Sequence, residues 1–223
     1  MARIVLVTGG CRSGKSAYAQ GLAESLPPTR LFVATCPVTD EEIRCRIEQH
    51  RRARRDGGWE TVEEECDLAG VFRKVSGTLR VPNDGTRRVP NTILVDCVTL
   101  WINNLMYHAE RKGCPFTETE VAGRCREVLD AANACSGTVI FVTNEVGLGV
   151  VPENAQARHY RDLIGRANQV LAARTDAVTL LCCGIPVQLK DAPPAPLGEG
   201  EGNRRVGQDP GHPRSGSASA SPP

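Results

Sequence analysis

The sequence predicts an α/β protein with a mostly parallel sheet and helices on both faces. Three observations predict it. Short apolar runs rich in β-branched residues recur at 4–7, 30–35, 92–97, 138–143 and 177–183. Uninterrupted runs of that length read as strands buried on both faces. Stretches of helical period separate most of them, so successive strands can lie parallel through crossover helices. The first run empties into Gly9-Gly10-Cys11-Arg12-Ser13-Gly14-Lys15-Ser16, the pattern G-x-x-x-x-G-K-S. Strand, glycine loop and helix N-terminus in that order are what a phosphate-binding loop requires.

The chemistry of that loop needs these residue types at this spacing. Glycines let successive N–H groups point into one concavity. The helix that follows adds unpaired N–H groups and the positive end of its dipole. Lys15 can reach the β/γ oxygens of a triphosphate, and the Ser16 hydroxyl can sit on Mg²⁺. Gly9 to Ser16 are therefore the candidate nucleotide-binding residues, with Lys15 also catalytic. Tyr18, Leu22 and Leu26 form the apolar face of the helix expected over 17–26.

The second strand is expected at 30–35 and stops before Pro37. Thr39-Asp40-Glu41-Glu42 reads as a capping box opening a helix over about 40–55. Ile43, Ile47 and His50 share one side of that helix, among Arg44, Arg46, Arg51, Arg52, Arg54 and Arg55. Two readings fit: a solvated basic helix with a half-buried histidine, or arginines gripping a polyphosphate with His50 presented to it. Residues 59–65 read as a short strand with an acidic end, and 76–91 as a long surface loop with turn chemistry.

The strand at 92–97 closes on Asp96, a carboxylate placed to hold Mg²⁺. A helix over 99–107 follows, with Asn103 and Asn104 read as its solvent face. Thr117 and Glu120 make a second capping box. Val121, Cys125, Val128 and Ala132 mark the helix behind it, with Gly137 suited to its left-handed C′ position. Beyond the strand at 138–143, Asn144, Glu145 and the loop 146–152 are expected to line the same crevice as the phosphate loop, because ligands gather at strand C-termini in open α/β sheets. A helix over 153–174 carries a core stripe of Tyr160, Ile164, Ala167 and Leu171. Its second, polar face holds Asn154, Arg158, Arg161, Gly165 and Asn168, facing solvent, substrate or another subunit. The run at 177–183 is the last strand. From 191 to 223 Pro, Gly, Ser and Ala dominate, and such a tail cannot bury enough surface to order itself. One domain over 1–190 and a disordered tail over 191–223 follow.

Composition excludes several classes. The 223-residue chain has a net charge of +1, so no overall field points to nucleic acid or a membrane surface. The basic helix lacks aromatic residues for base stacking. No stretch approaches the ~20 apolar residues of a membrane span, and no secretory leader is expected, since the apolar run from Ile4 is short and ends in the glycine loop. The ten cysteines include no C-x-x-C pair, so neither a zinc site nor a disulfide framework is expected, and reduced thiols in a cytoplasmic protein fit best.

Four pieces together resemble a known family. They are Val7-Thr8-Gly9-Gly10-Cys11-Arg12-Ser13-Gly14-Lys15-Ser16, Arg46-Ile47-Glu48-Gln49-His50-Arg51, Trp59-Glu60-Thr61-Val62-Glu63, and 142–154 with Arg158, Arg161 and Asp162 behind it. Over about residues 4–190 the chain resembles the bifunctional adenosylcobinamide kinase / adenosylcobinamide-phosphate guanylyltransferase of cobalamin biosynthesis. The resemblance implies a P-loop NTPase-type, RecA-like fold. It also implies phosphoryl transfer from ATP or GTP to adenosylcobinamide, then transfer of GMP from GTP to adenosylcobinamide phosphate. It makes His50 the guanylylated nucleophile. Thr35, Cys36, Pro37, Arg51, Arg52, Ala53, Arg54, Glu63 and Asp96 would line the nucleotide site, with Ser16 and Asp96 on Mg²⁺. Assembly as a homo-oligomer, a trimer or similar ring, is implied too. A monofunctional P-loop small-molecule kinase without the histidine intermediate is the competing reading. A GTP-binding switch is disfavoured by the lack of an Asn-Lys-x-Asp sequence.

Overall fold

Along the central strands, alternate residues serve opposite faces of one sheet. The computed structural model describes residues 1–37, 54, 57–76 and 89–191. Its strands are β1 (Arg3–Gly9), β2 (Arg30–Ala34), β3 (Trp59–Glu63), β4 (Thr92–Asp96), β5 (Thr138–Val142), β6 (Ala177–Cys182) and β7 (Ile185–Lys190). They form a seven-stranded sheet in the order β3-β2-β4-β5-β1-β6-β7. All neighbours are parallel except β6 and β7, which form an antiparallel hairpin.

The helices are α1 (Lys15–Glu24), α2 (Leu68–Ser76), α3 (Val98–Arg111), α4 (Glu118–Asn133) and α5 (Ala155–Arg174). Ile4, Leu6, Leu31, Val33, Ile93, Val95, Val139 and Phe141 point to one face, where α2, α3, α4 and α5 cover them. Val5, Val7, Phe32, Leu94, Ile140 and Val142 point to the other, against Ala19 and Ala23 of α1. Both faces are thus dry, which is why the strands read as unbroken apolar runs rather than alternating ones. Each large aliphatic or aromatic side chain buried this way contributes about 1.5–3 kcal/mol.

The expected strands are present, and β7 is added to them. The 177–183 run was expected to be the last strand. Instead the chain reverses through Cys183 and Gly184, at φ 53° and 80°, a two-residue turn whose left-handed pair matches the twist of a hairpin. Ile185, Val187 and Leu189 then alternate along an exposed edge strand. Helix α2 is also new, and Leu68, Val71, Phe72 and Val75 are its buried stripe.

The Thr117 capping box forms in both directions. Gly137 is left-handed, at φ 81°. It lies past the helix C-cap at Ala134, so it serves the turn into β5 rather than the C′ position. A Cβ there would meet the Asn91 carbonyl oxygen at 2.1 Å. The first helix stops at Glu24, before Leu26. Helix α3 runs to Arg111 rather than Tyr107, and α5 begins after an Asn154 cap. The helix expected over 40–55, most of the 76–91 loop and the tail after Asp191 lie outside the described residues.

Candidate active site

One transverse line orders the site. Glu63 is in register with Ala34, Ala34 with Asp96, Asp96 with Val142, and Val142 with Val7. Parallel strands therefore end together, and everything that follows them emerges at one edge. Past that line lie Thr35, Cys36 and Pro37 after β2, Asn144 and Glu145 after β5, and the loop 9–16 after β1.

The loop curls because two of its residues adopt left-handed backbone, Arg12 at φ 55° and Gly14 at φ 89°. Gly14 is the N-cap of α1, so Lys15 and Ser16 open that helix. Lys15 Nζ donates to the Gly10 carbonyl oxygen at 3.1 Å, folding the ammonium over the loop. Gly9 has no room for a side chain: a Cβ would come within 2.6 Å of both the Leu181 carbonyl oxygen and Ser13 Oγ. The arrangement is an anion cradle of backbone donors, a helix N-terminus and one lysine. Cys11 and Arg12 stand exposed on its rim.

Asp96 closes β4 half-buried, as expected. The next residue, Cys97, is buried, and its thiol is pushed up to about 12 by burial and then by the Asp96 carboxylate; the Lys15 charge acts in the opposite direction. The lysine and the aspartate thus both act on this one thiol. Ser16 and Asp96 offer a hydroxyl and a carboxylate, hard oxygen donors of the kind Mg²⁺ takes.

The residues along the same edge are engaged with the fold, and Asn104 departs from expectation. The Thr35 hydroxyl donates to the Cys97 carbonyl and accepts from the Cys97 N–H, each at 2.8 Å, which latches the end of β2 to the end of β4. Asn104 is 5% exposed rather than on a solvent face. Its amide donates to the Thr35 and Glu65 carbonyls, so it buttresses the same edge. Arg54 is buried with its guanidinium 3.6 Å over the Phe32 ring. Glu63 ends β3 exposed. His50, Arg51, Arg52 and Ala53 lie outside the described residues.

The polar face of α5 is not bare. Asn168 accepts from Thr143 Oγ1 at 2.8 Å, and donates to the Asn144 carbonyl at 3.0 Å and to Glu145 Oε1 at 3.1 Å. The same Glu145 oxygen accepts from Thr8 Oγ1 at 2.6 Å. Arg158 donates to the Pro152 and Glu153 carbonyls. The face thus fixes both ends of the 144–153 segment, and Glu145 ties its first end to the phosphate-loop strand, while Leu148, Val150 and Val151 between them are exposed. The Thr8–Glu145 pair spans 137 residues of sequence and had no local signal.

A parallel sheet of this order with a G-x-x-x-x-G-K-S loop at its carboxyl edge defines a P-loop nucleotide-handling protein of the NTPase type. A solved structural relative agrees at the level of fold. An ATPase of a bacterial type III secretion system superposes with a TM-score of 0.50 at 13% identity, covering 81% of this chain and 51% of that one.

Sequence comparison is narrower. The family model for cobinamide kinase / cobinamide phosphate guanyltransferase matches residues 5–189, and the chain belongs to that family. The bifunctional adenosylcobalamin biosynthesis protein CobU of Salmonella typhimurium is 37% identical over 193 residues, 84% of this chain and 99% of the relative. The protein of the same name from Escherichia coli is 36% identical at the same coverage. The corresponding CobP of Pseudomonas aeruginosa is 35% identical over 188 residues, 84% and 98% of the two chains. The chain is an enzyme of this bifunctional kinase and guanylyltransferase type. Among the described residues no helix is long and apolar enough to cross a membrane.

Proposed function

We propose that the chain phosphorylates the aminopropanol hydroxyl of adenosylcobinamide with ATP or GTP, and then guanylylates the product through His50. In the second reaction a His50 ring nitrogen attacks the α-phosphorus of GTP. A P–N bond forms, the bond to the bridging oxygen breaks, and pyrophosphate leaves. A phosphate oxygen of adenosylcobinamide phosphate then attacks the same phosphorus, the P–N bond breaks, and adenosyl-GDP-cobinamide departs. Dividing one transfer in two is ordinary covalent catalysis.

The observation that carries this reading is the shared strand edge. Gly9 to Ser16 and Asp96 lie at one edge of the sheet, with Thr35, Cys36, Pro37 and Glu63 along the same line. In this reading the loop amides and Lys15 hold the triphosphate. Arg51, Arg52 and Arg54 offset charge on it and on pyrophosphate, and Ala53 lies with them in the nucleotide site. Ser16 and Asp96 hold Mg²⁺, which when bound neutralises phosphate charge. The exposed apolar row Ile185, Val187 and Leu189 on the outer strand β7 supports assembly into a homo-oligomeric ring. Residues 1–190 form the enzymatic domain, and 191–223 a tail outside it.

Incubation with α-labelled GTP and Mg²⁺ tests the mechanism. Label should enter the protein in a form stable to base and labile to acid. His50→Ala should abolish labelling while nucleotide binding, read by equilibrium dialysis, persists. Label that survives His50→Ala overturns the histidine intermediate, and phosphoryl transfer with no labelling at all leaves a kinase alone.

A further inference from the structure

We propose that Glu145 takes the proton from the acceptor hydroxyl during phosphoryl transfer. The inference rests on the kinase activity of the family and not on His50. Phosphoryl transfer to an alcohol forms a bond from the alcohol oxygen to the γ-phosphorus and breaks the bond to the β,γ-bridging oxygen. The nucleoside diphosphate leaves with that electron pair, and the alcohol proton must go to a base. Neither Lys15 nor Asp96 serves. Lys15 is a cation held over the loop, and Asp96 has the position and chemistry of a metal ligand.

Glu145 has the right place. Strand β5 lies directly between β1, which carries the phosphate loop, and β4, which carries Asp96. Val142 lies level with both Val7 and Asp96, so Glu145 stands three residues past the edge that carries the phosphate loop. Its own N–H donates to the Gly9 carbonyl at 3.1 Å, which sets its backbone alongside the first residue of the loop. Asp96 stands on β4, two strand spacings from β1, about 10 Å. Two carboxylates bond to β1 among the described residues: Asp176 accepts from the Ile4 N–H near the start of the strand, and Glu145 accepts from Thr8 at the end that enters the loop.

It is also oriented. Oε1 accepts from Thr8 Oγ1 at 2.6 Å and from Asn168 Nδ2 at 3.1 Å. Asn168 cannot turn its amide over without losing the bond its oxygen accepts from Thr143 at 2.8 Å. Both donors hold Oε1, so Oε2 remains to serve as the proton acceptor. A base needs this division: one oxygen tethered for position, the other available to the reacting hydroxyl. Thr8, Thr143 and Asn168 are positioning residues in this scheme.

Glu145→Gln is the discriminating variant, because its amide oxygen can still accept from Thr8 and Asn168 while the base is gone. In single-turnover phosphorylation of adenosylcobinamide we expect the rate to fall by about 100-fold or more. Nucleotide affinity and labelling by α-labelled GTP should stay within twofold of wild type, and Tm should be unchanged. The fall in rate at low pH, where a carboxylate base becomes protonated, should vanish in the variant. Asn168→Ala should lower the rate less than Glu145→Gln and keep the pH limb. A rate for Glu145→Gln within a few fold of wild type overturns the proposal, leaving Glu145 as a tether between loops. Recovery of the rate at high Mg²⁺ also overturns it, making Glu145 a metal ligand. A joint loss of labelling and phosphorylation overturns it as damage to the whole nucleotide site. A wild-type chain that labels but does not phosphorylate overturns the kinase reading together with this one.

Discussion

The backbone N–H of Gly184 donates to the Ser13 carbonyl oxygen at 3.1 Å. The turn between β6 and β7 is thereby tied to the crown of the phosphate loop. Gly184 Cα also lies 3.6 Å from where a Cβ on Gly14 would be. The turn is therefore a buttress of the nucleotide site, although it belongs to the last hairpin of the fold.

That tie makes Gly184 sensitive through its backbone rather than through space. Its φ is 80°, and a Cβ there would meet nothing within 4 Å. Gly184→Val should therefore cost about 1–2 kcal/mol from left-handed strain alone, lower Tm and weaken nucleotide binding. Gly184→Asn should be tolerated, because asparagine visits that region readily. Thermal unfolding with and without nucleotide checks both. Equal behaviour of the two variants would mean that side-chain bulk, not backbone, governs the turn.

Gly9 presents the opposite case. A Cβ there is blocked by the Leu181 carbonyl oxygen and Ser13 Oγ, both at 2.6 Å, whereas one at Gly10 meets nothing within 4 Å. Gly9→Ala must move either β6 or the loop, and overpacking of this kind costs about 1–3 kcal/mol. Nucleotide affinity should fall at least tenfold. Gly10→Ala should leave the Tm of the nucleotide-free protein unchanged. Calorimetry on the pair separates crowding from a general need for glycine.

Legibility in the sequence followed the range of the interaction. The phosphate loop was legible because its chemistry lies within eight consecutive residues, 9–16. The Thr117–Glu120 box was legible for the same reason. Apolar runs located β1, β2, β4, β5 and β6, since burial on both faces erases alternation. Helix α2 and strand β7 carried local signals as well, a Leu68, Val71, Phe72, Val75 stripe and an Ile185, Val187, Leu189 alternation. Asn104 was different. Its partners are carbonyls 69 and 39 residues away, brought to it by the β2–β4 pairing, and nothing within its own helix distinguishes it from the exposed Asn103. The Thr8–Glu145 bond likewise depends on β5 inserting beside β1. The strand order is a tertiary outcome that local periodicity does not encode.

Asn104 should consequently be expensive to replace. Its amide closes two buried or half-buried carbonyls, on Thr35 and Glu65, at 2.9 and 3.1 Å. Asn104→Leu keeps the branching and the heavy-atom count and removes the donors, leaving acceptors unpaired at about 1–3 kcal/mol. Thr35 in turn latches to Cys97, so nucleotide affinity should drop along with stability. Asn103→Leu, on the exposed side of the same helix, should change Tm by less than a degree or two. Urea unfolding of the two variants makes the comparison. Equal stability would mean that water replaces the amide.

Alkaline pH should unfold the protein through groups that the fold keeps protonated. Burial pushes the Cys125 thiol from 9.0 up to about 12. Burial, then the Asp96 carboxylate, does the same to Cys97. Tyr160 is raised from 10.0 to about 12 by burial and then by Cys97. Each group is neutral when protonated, and the folded state holds its proton more tightly than the unfolded state. Below pH 9 both states are protonated at the thiols, and their contribution to stability is complete. As pH rises toward 12 the unfolded state releases protons that the folded state retains. Stability then falls by up to about 1.4 kcal/mol per pH unit for each such group. Cys125→Ala removes one of them, so between pH 9 and 11 its urea-unfolding free energy should decline less steeply than that of wild type under reducing conditions. The same thiol should resist iodoacetamide at pH 8, where its thiolate is about one part in ten thousand, while the exposed Cys11, Cys114, Cys182 and Cys183 react. Parallel slopes for wild type and Cys125→Ala would show that the buried thiol titrates alike in both states.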